Sequence, residues 1–109
     1  MVILGVDPGI ARTGWGIIKK ANGQKLTAKN FGCIETEAGL AIERRLQIIR
    51  EELVRIIKKY KPQSLAVEEL FFNTNAKTAL IVGQARGGVI VTAAEFGLDV
   101  FSYTPLQVK

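Results

Sequence analysis

Histidine is absent from these 109 residues. That excludes Ser-His-Asp and Cys-His catalytic arrangements and the usual zinc sites, and it leaves any bound metal to hard oxygen ligands, hence magnesium, manganese or calcium. Cys33 is the one cysteine, so no internal disulfide forms; its apolar surroundings predict a buried, inert thiol. No apolar run approaches the roughly 18 residues that span a bilayer, and no basic segment precedes an apolar core and cleavage site at the amino terminus. The expectation is a cytoplasmic protein. Repeats, linkers and low-complexity segments are also missing. Acidic residues are outnumbered, 10 against 15 basic, for a net charge of +5. A polyanionic partner fits that balance, as does an ordinary basic surface. With 48% hydrophobic and 23% charged residues the chain has the composition of one core-forming domain over residues 1–109.

What is present reads as alternating strands and helices. Residues 2–7 form a first strand. Gly14 to Lys20 follows as a second, with Trp15, Ile17 and Ile18 as its apolar members, and Asn22-Gly23 signals a hairpin into a third strand over Lys25 to Thr36. Lys25 and Lys29 suit that strand to a sheet edge. From Leu40 to Tyr60 the apolar spacing turns helical, through Ile42, Leu46, Ile49, Leu53 and Ile56. Its charged face, which includes Arg44, Arg45, Arg50 and Arg55, is expected to be solvated. Pro62 stops this helix. Ser64 to Glu68 supplies a fourth strand, parallel to the first if the helix is a crossover. Asn75 to Phe96 forms a second helix in which Ala79, Gly83, Gly87 and Val91 recur every four residues. Small residues there invite close packing, onto the sheet or a partner chain, with core packing the expectation. Gly97 ends the helix and Leu98 to Tyr103 adds a fifth strand. Thr104-Pro105 then has the form of a helix start, and the domain is expected to be incomplete at its carboxyl end.

Two apolar strands each run into an acid. Val2, Ile3, Leu4 and Val6 lead to Asp7, and Leu65, Ala66 and Val67 lead to Glu68-Glu69. Side by side and parallel, these strands bring Asp7 and one glutamate together at the carboxyl edge of a sheet, where open α/β sheets place their ligands. Two such carboxylates suit a divalent cation. Asp7-Pro8-Gly9 is equally a good β-turn, and alternation sends at least one of the two glutamates to solvent.

Taken together, Ile3-Leu4-Gly5-Val6-Asp7-Pro8-Gly9, Thr13-Gly14-Trp15-Gly16, Gly32-Cys33-Ile34, Val67-Glu68-Glu69-Leu70-Phe71, Asn75-Ala76 and Gly83-Gln84-Ala85-Arg86-Gly87 resemble the RuvC family of crossover (Holliday) junction endodeoxyribonucleases. The resemblance runs from residue 2 to Lys109. It implies an RNase H-like α/β fold, a five-stranded mixed sheet with flanking helices, and a homodimer that resolves four-way junctions by paired nicks with Mg2+ or Mn2+. A branch-migration helicase is the further partner it suggests. Residue by residue it implies that Asp7 and Glu68 are catalytic metal ligands, and that Phe71, Lys109 and, more weakly, Arg86 contact DNA. A hydrophobic cap is the competing role for Phe71-Phe72, and a helix-surface ion pair for Arg86. The family draws further acidic residues from a later helix that these 109 residues do not include. The chain taken alone is therefore expected to be impaired, since two ions about 3.5–4 Å apart need more than two carboxylates.

Three other assignments compete. An actin-like ATPase or sugar kinase opens with a similar strand, acid and Gly-rich turn, but needs a second lobe. A YqgF-type nuclease acting on RNA shares the opening motif. A module that binds junctions or dimerises without cleaving is the third.

Overall fold

In β1, Val2–Asp7, the side chains alternate: Leu4 and Val6 are buried, and Asp7 ends the strand exposed. The computed structural model describes residues 1–19, 27–69 and 76–103. After β1 come β2 (Arg12–Lys19), β3 (Thr27–Glu35), α1 (Ile42–Tyr60), β4 (Ser64–Glu68), α2 (Ala76–Glu95) and β5 (Asp99–Tyr103). The strands form one five-stranded sheet in the order β3-β2-β1-β4-β5. β2 and β3 add to β1 antiparallel, whereas β4 and β5 run parallel to it, each reached through a helix. Parallel neighbours need such a crossover, which is why the helical stretches fall where they do. The elements match the expected series, and β3 lies at an edge. β2 starts at Arg12 rather than Gly14 because the pairing continues to Arg12 opposite Glu35, whose charges meet at 3.8 Å. The Asn22-Gly23 turn and the Thr104-Pro105 helix start lie outside the described residues.

Both helices pack on one face of the sheet. Leu4, Val6, Ile17, Leu65 and Val67 supply the sheet side of the core; α1 contributes Ile49, Leu53, Ile56 and Ile57, and α2 contributes Ala85, Val89 and Ala93. Burial of each large member is worth about 1.5–3 kcal/mol. α1 ends where Lys61 takes a left-handed φ of 50° and returns its N–H to the Ile57 carbonyl at 2.8 Å, with Pro62 next. Its charged face is less free than expected. Arg45 donates to the Thr36 hydroxyl at 2.8 Å, and Arg50 joins α1 to α2 through Thr92 Oγ1 at 3.3 Å and the Glu95 carboxylate.

Two expectations are corrected. Cys33 is exposed, not buried, because alternation along β3 turns Gly32 and Ile34 towards the helices and Cys33 to the other face. The Ala79-Gly83-Gly87-Val91 stripe of α2 does not pack in the core: Val91 is 57% exposed, and nothing lies within 4 Å of a Cβ built on Gly83 or Gly87. The core face of α2 is the neighbouring one, through Ala85, Val89 and Ala93. Both faces are rich in small residues, so size alone does not separate them.

Gly32 is needed for a different reason. The Trp15 ring lies across β3 so closely that a Cβ on Gly32 would stand 2.9 Å from Trp15 Cζ2. Trp15 in turn packs on Tyr60 of α1, ring centroids 6.0 Å apart. Gly32→Ala must displace the indole and is expected to cost about 1–3 kcal/mol. Gly87→Ala, entering open space on a helix, should instead stabilise the monomer by about 0.5–1 kcal/mol. Denaturant titration of the two variants measures both, and equal effects would contradict these placements.

Candidate metal centre

Parallel pairing sets the geometry of the acids. Leu4 stands opposite Leu65, Gly5 opposite Ala66 and Val6 opposite Val67, so Asp7 and Glu68 occupy the next step of two adjacent strands. Val6 and Val67 point into the core, and alternation turns both acids to the other face at the carboxyl edge of the sheet. Neighbouring strands lie about 4.8 Å apart, within reach of a shared ion. Glu69 faces away, exposed, and spends its backbone N–H on the Tyr103 carbonyl at 2.6 Å. Of the two glutamates, Glu68 is the partner of Asp7.

The two carboxyls interact. Burial first, then a side-chain hydrogen bond with Asp7 and the Asp7 negative charge, push the Glu68 carboxyl above the usual carboxylate range. Tyr103, opposite Glu68 on β5, joins them: burial and the charges of Glu68 and Asp7 push its phenol up as well. Tyr103 was not singled out from the sequence. The signal was available, because counting the parallel register forward puts residue 103 on the same face, but it requires knowing which strands are neighbours. Beside the acids lies an open depression of about 270 Å³, lined by Asp7, Tyr103, Ile18 and the bare backbone of Gly5, Gly14 and Gly16. The glycines leave a floor free of side chains on the Asp7 side.

The loop after Asp7 is held without using its carboxylate. Thr13, fully buried, donates its hydroxyl to the Gly9 carbonyl at 2.6 Å and accepts the Gly9 N–H at 3.3 Å. Gly9 has to be glycine for this closure, since a Cβ there would fall 2.2 Å from the Arg12 carbonyl oxygen. Asp7 thus ends its strand directed at Glu68.

Two adjacent carboxyls, one of them held above its usual pKa by burial first and by the other acid second, fit a divalent cation that would offset both; oxygen donors without histidine or thiolate select a hard ion. Among the described residues no group of three or more His, Cys, Asp or Glu side chains is placed to hold a metal, so the pair is a partial ligand set. Arg86 is half-buried, and its guanidinium donates to the Glu68 carbonyl at 3.4 Å and to Ser102 Oγ at 2.7 Å. Phe71 and Lys109 lie outside the described residues.

A family model described as crossover junction endodeoxyribonuclease RuvC matches residues 3–109. The chain is 54% identical over 109 residues to the RuvC of Pelotomaculum thermopropionicum and 50% identical over 109 residues to that of Alkaliphilus oremlandii, and it spans 66% of the length of each. A solved structure of T. thermophilus RuvC in complex with a Holliday junction substrate is similar with a TM-score of 0.89 at 32% identity, covering 100% of this chain and 68% of that one.

The raised Glu68 carboxyl has a consequence for stability. A carboxyl with a higher pKa folded than unfolded holds its proton more tightly in the folded state, so stability falls as pH rises through that range. In divalent-free buffer Glu68→Gln should therefore raise the melting temperature near pH 7. The gain should close below about pH 4, where Glu68 is protonated in both states. Thermal melts across that range check this, and a destabilised Glu68→Gln at neutral pH would contradict it.

Proposed function

Since this chain belongs to the RuvC family of crossover junction endodeoxyribonucleases, we propose that it carries the nuclease core of an enzyme that nicks four-way junction DNA in recombination and repair. The observation that carries this is the convergence of Asp7 and Glu68 on one face of adjacent parallel strands. The T. thermophilus relative seen with a Holliday junction supports the choice of substrate.

Asp7 and Glu68 are the residues that would hold a divalent cation, Mg2+ or Mn2+. When bound, such an ion activates water and offsets the charge that develops on the phosphate. The protein's part is positional. Asp7 sits on the central strand, flanked by β2 and β4, and Glu68 follows a buried Val67, so both oxygens are presented from rigid backbone. Mg2+ prefers near-octahedral oxygen coordination, and two carboxylates leave places for phosphate oxygens, water or further acids. The glycine floor of Gly5, Gly14 and Gly16 leaves room for a backbone to approach. In this account Phe71 stacks on a junction base, at about 1–3 kcal/mol, and Lys109 contacts phosphate. A homodimer also belongs to it, and the outward face of α2, with Leu80 66% and Val91 57% exposed beside Gly83 and Gly87, is the surface that suits one. A branch-migration helicase is the further partner proposed.

The test is cleavage of a synthetic four-way junction against linear duplex, with Mg2+ or Mn2+, by the full-length protein. Symmetric nicks in the junction are expected. Asp7→Asn should lose more than the about 10–100-fold that outer partners of a metal site cost, while junction binding persists. Cleavage by Asp7→Asn at the wild-type rate would overturn the site, and equal action on duplex would overturn the substrate.

A further inference from the structure

Ala85 packs in the core, fully buried, and the neighbouring Arg86 extends along the sheet to the ends of two strands. Its Nε donates to the backbone carbonyl of Glu68 at 3.4 Å, and its Nη2 donates to Ser102 Oγ at 2.7 Å. One guanidinium thus joins α2, β4 and β5 at the last rungs of the ladder, where Val67 pairs with Ser102 and Glu68 with Tyr103. No carboxylate among the described residues forms an ion pair with it.

We propose that Arg86 is a positioning residue: it pins the ends of β4 and β5 from the helix side and so fixes where the Glu68 carboxylate stands relative to Asp7. The mechanical need is specific to Glu68. Asp7 ends a central strand with a neighbour on each side, whereas the outer support of Glu68 is β5, an edge strand with exposed residues along most of its length. Strand ends at a sheet edge open most readily. A planar guanidinium holds two acceptors in a fixed relation that a flexible ammonium does not reproduce. Its donors are turned to protein oxygens on the helix side, while Asp7 and Glu68 face the other side of the sheet. That arrangement suits a brace rather than a phosphate contact.

The proposal rests on the nuclease assignment, and its test separates the two. In the full-length protein, Arg86→Ala and Arg86→Lys are compared with wild type for junction affinity, its salt dependence, single-turnover cleavage at saturating junction, and Mn2+ affinity. Arg86→Ala is expected to keep junction affinity and salt slope while cleavage at saturation and Mn2+ affinity fall by on the order of tenfold to a hundredfold, the loss that misplacement of a reacting group by about 1 Å brings. Arg86→Lys should recover part of that loss. Ser102→Ala, which removes one anchor and leaves the helix intact, should shift the same quantities in the same direction. The double variant should be no worse than Arg86→Ala, because the two act through one contact. A phosphate-contact role would show instead as weaker binding, a shallower salt slope and unchanged cleavage at saturation, and would overturn the proposal. Unchanged cleavage and Mn2+ affinity in Arg86→Ala would also overturn it. If wild type cleaves no junction the nuclease assignment fails, and Mn2+ affinity still decides on the brace. Should Arg86→Ala fail to fold, Ser102→Ala and Arg86→Lys carry the same comparison.

Discussion

The structure depends on the parallel pairing of β1 with β4. Leu4, Val6, Leu65 and Val67 are all buried to within 1% of complete and face the same helices, so a slip of β4 by one residue against β1 would turn its two core side chains, Leu65 and Val67, away from the helices. At about 1.5–3 kcal/mol for each, that register is firmly held. The same register brings Asp7 and Glu68 together, an arrangement that is unfavourable by itself. The hydrophobic core therefore holds two acids side by side, and the cost appears in the Glu68 carboxyl, raised first by burial and then by its contact with Asp7. Strained placement of this kind persists only where the surroundings over-determine it.

The remaining elements can be understood from that seam outwards. α1 supplies the crossover that makes β1 and β4 parallel and covers their inner face with Ile49, Leu53 and Ile56. α2 does the same for β5, and Arg50 ties the helices to each other through Thr92 and Glu95. On the opposite face the sheet is bare near the acids, with Gly5, Gly14 and Gly16 beside Asp7. Around the β1–β4 seam the two faces of the sheet therefore differ: apolar packing under the helices on one, and the two acids beside bare glycine backbone on the other.

Most of this was legible in the sequence, for identifiable reasons. Strand and helix periods are strong in residues 2–7 and 42–60, and Pro62 marks a boundary that few other residues mark as well. The apolar runs ending in Asp7 and Glu68 pointed to the candidate site because two strands that pair in parallel and end in acids put both carboxylates at one edge of the sheet. Cys33 was misplaced because an apolar neighbourhood in a strand does not say which face a given residue takes; β3 is an edge strand whose outer alternate positions are exposed, as Phe31 at 83% illustrates. The α2 stripe was misjudged because Gly and Ala occupy both its inner and outer faces, so no apolar contrast distinguishes them. Tyr103 and the inward reach of Arg86 were hidden for a third reason. Both follow from which strands are neighbours, a property of the folded chain that local periodicity does not contain.

Mn2+ binding, read by paramagnetic broadening of backbone amide signals, tests the central claim most directly, since it asks where a hard cation settles without depending on any substrate. The account predicts that the first signals lost are those around Asp7, Gly14, Glu68 and Tyr103, that Mg2+ competes for the same place, and that Asp7→Asn abolishes the effect. Broadening centred elsewhere, for instance on Glu43 or Glu51 of α1, or persisting unchanged in Asp7→Asn, would contradict it.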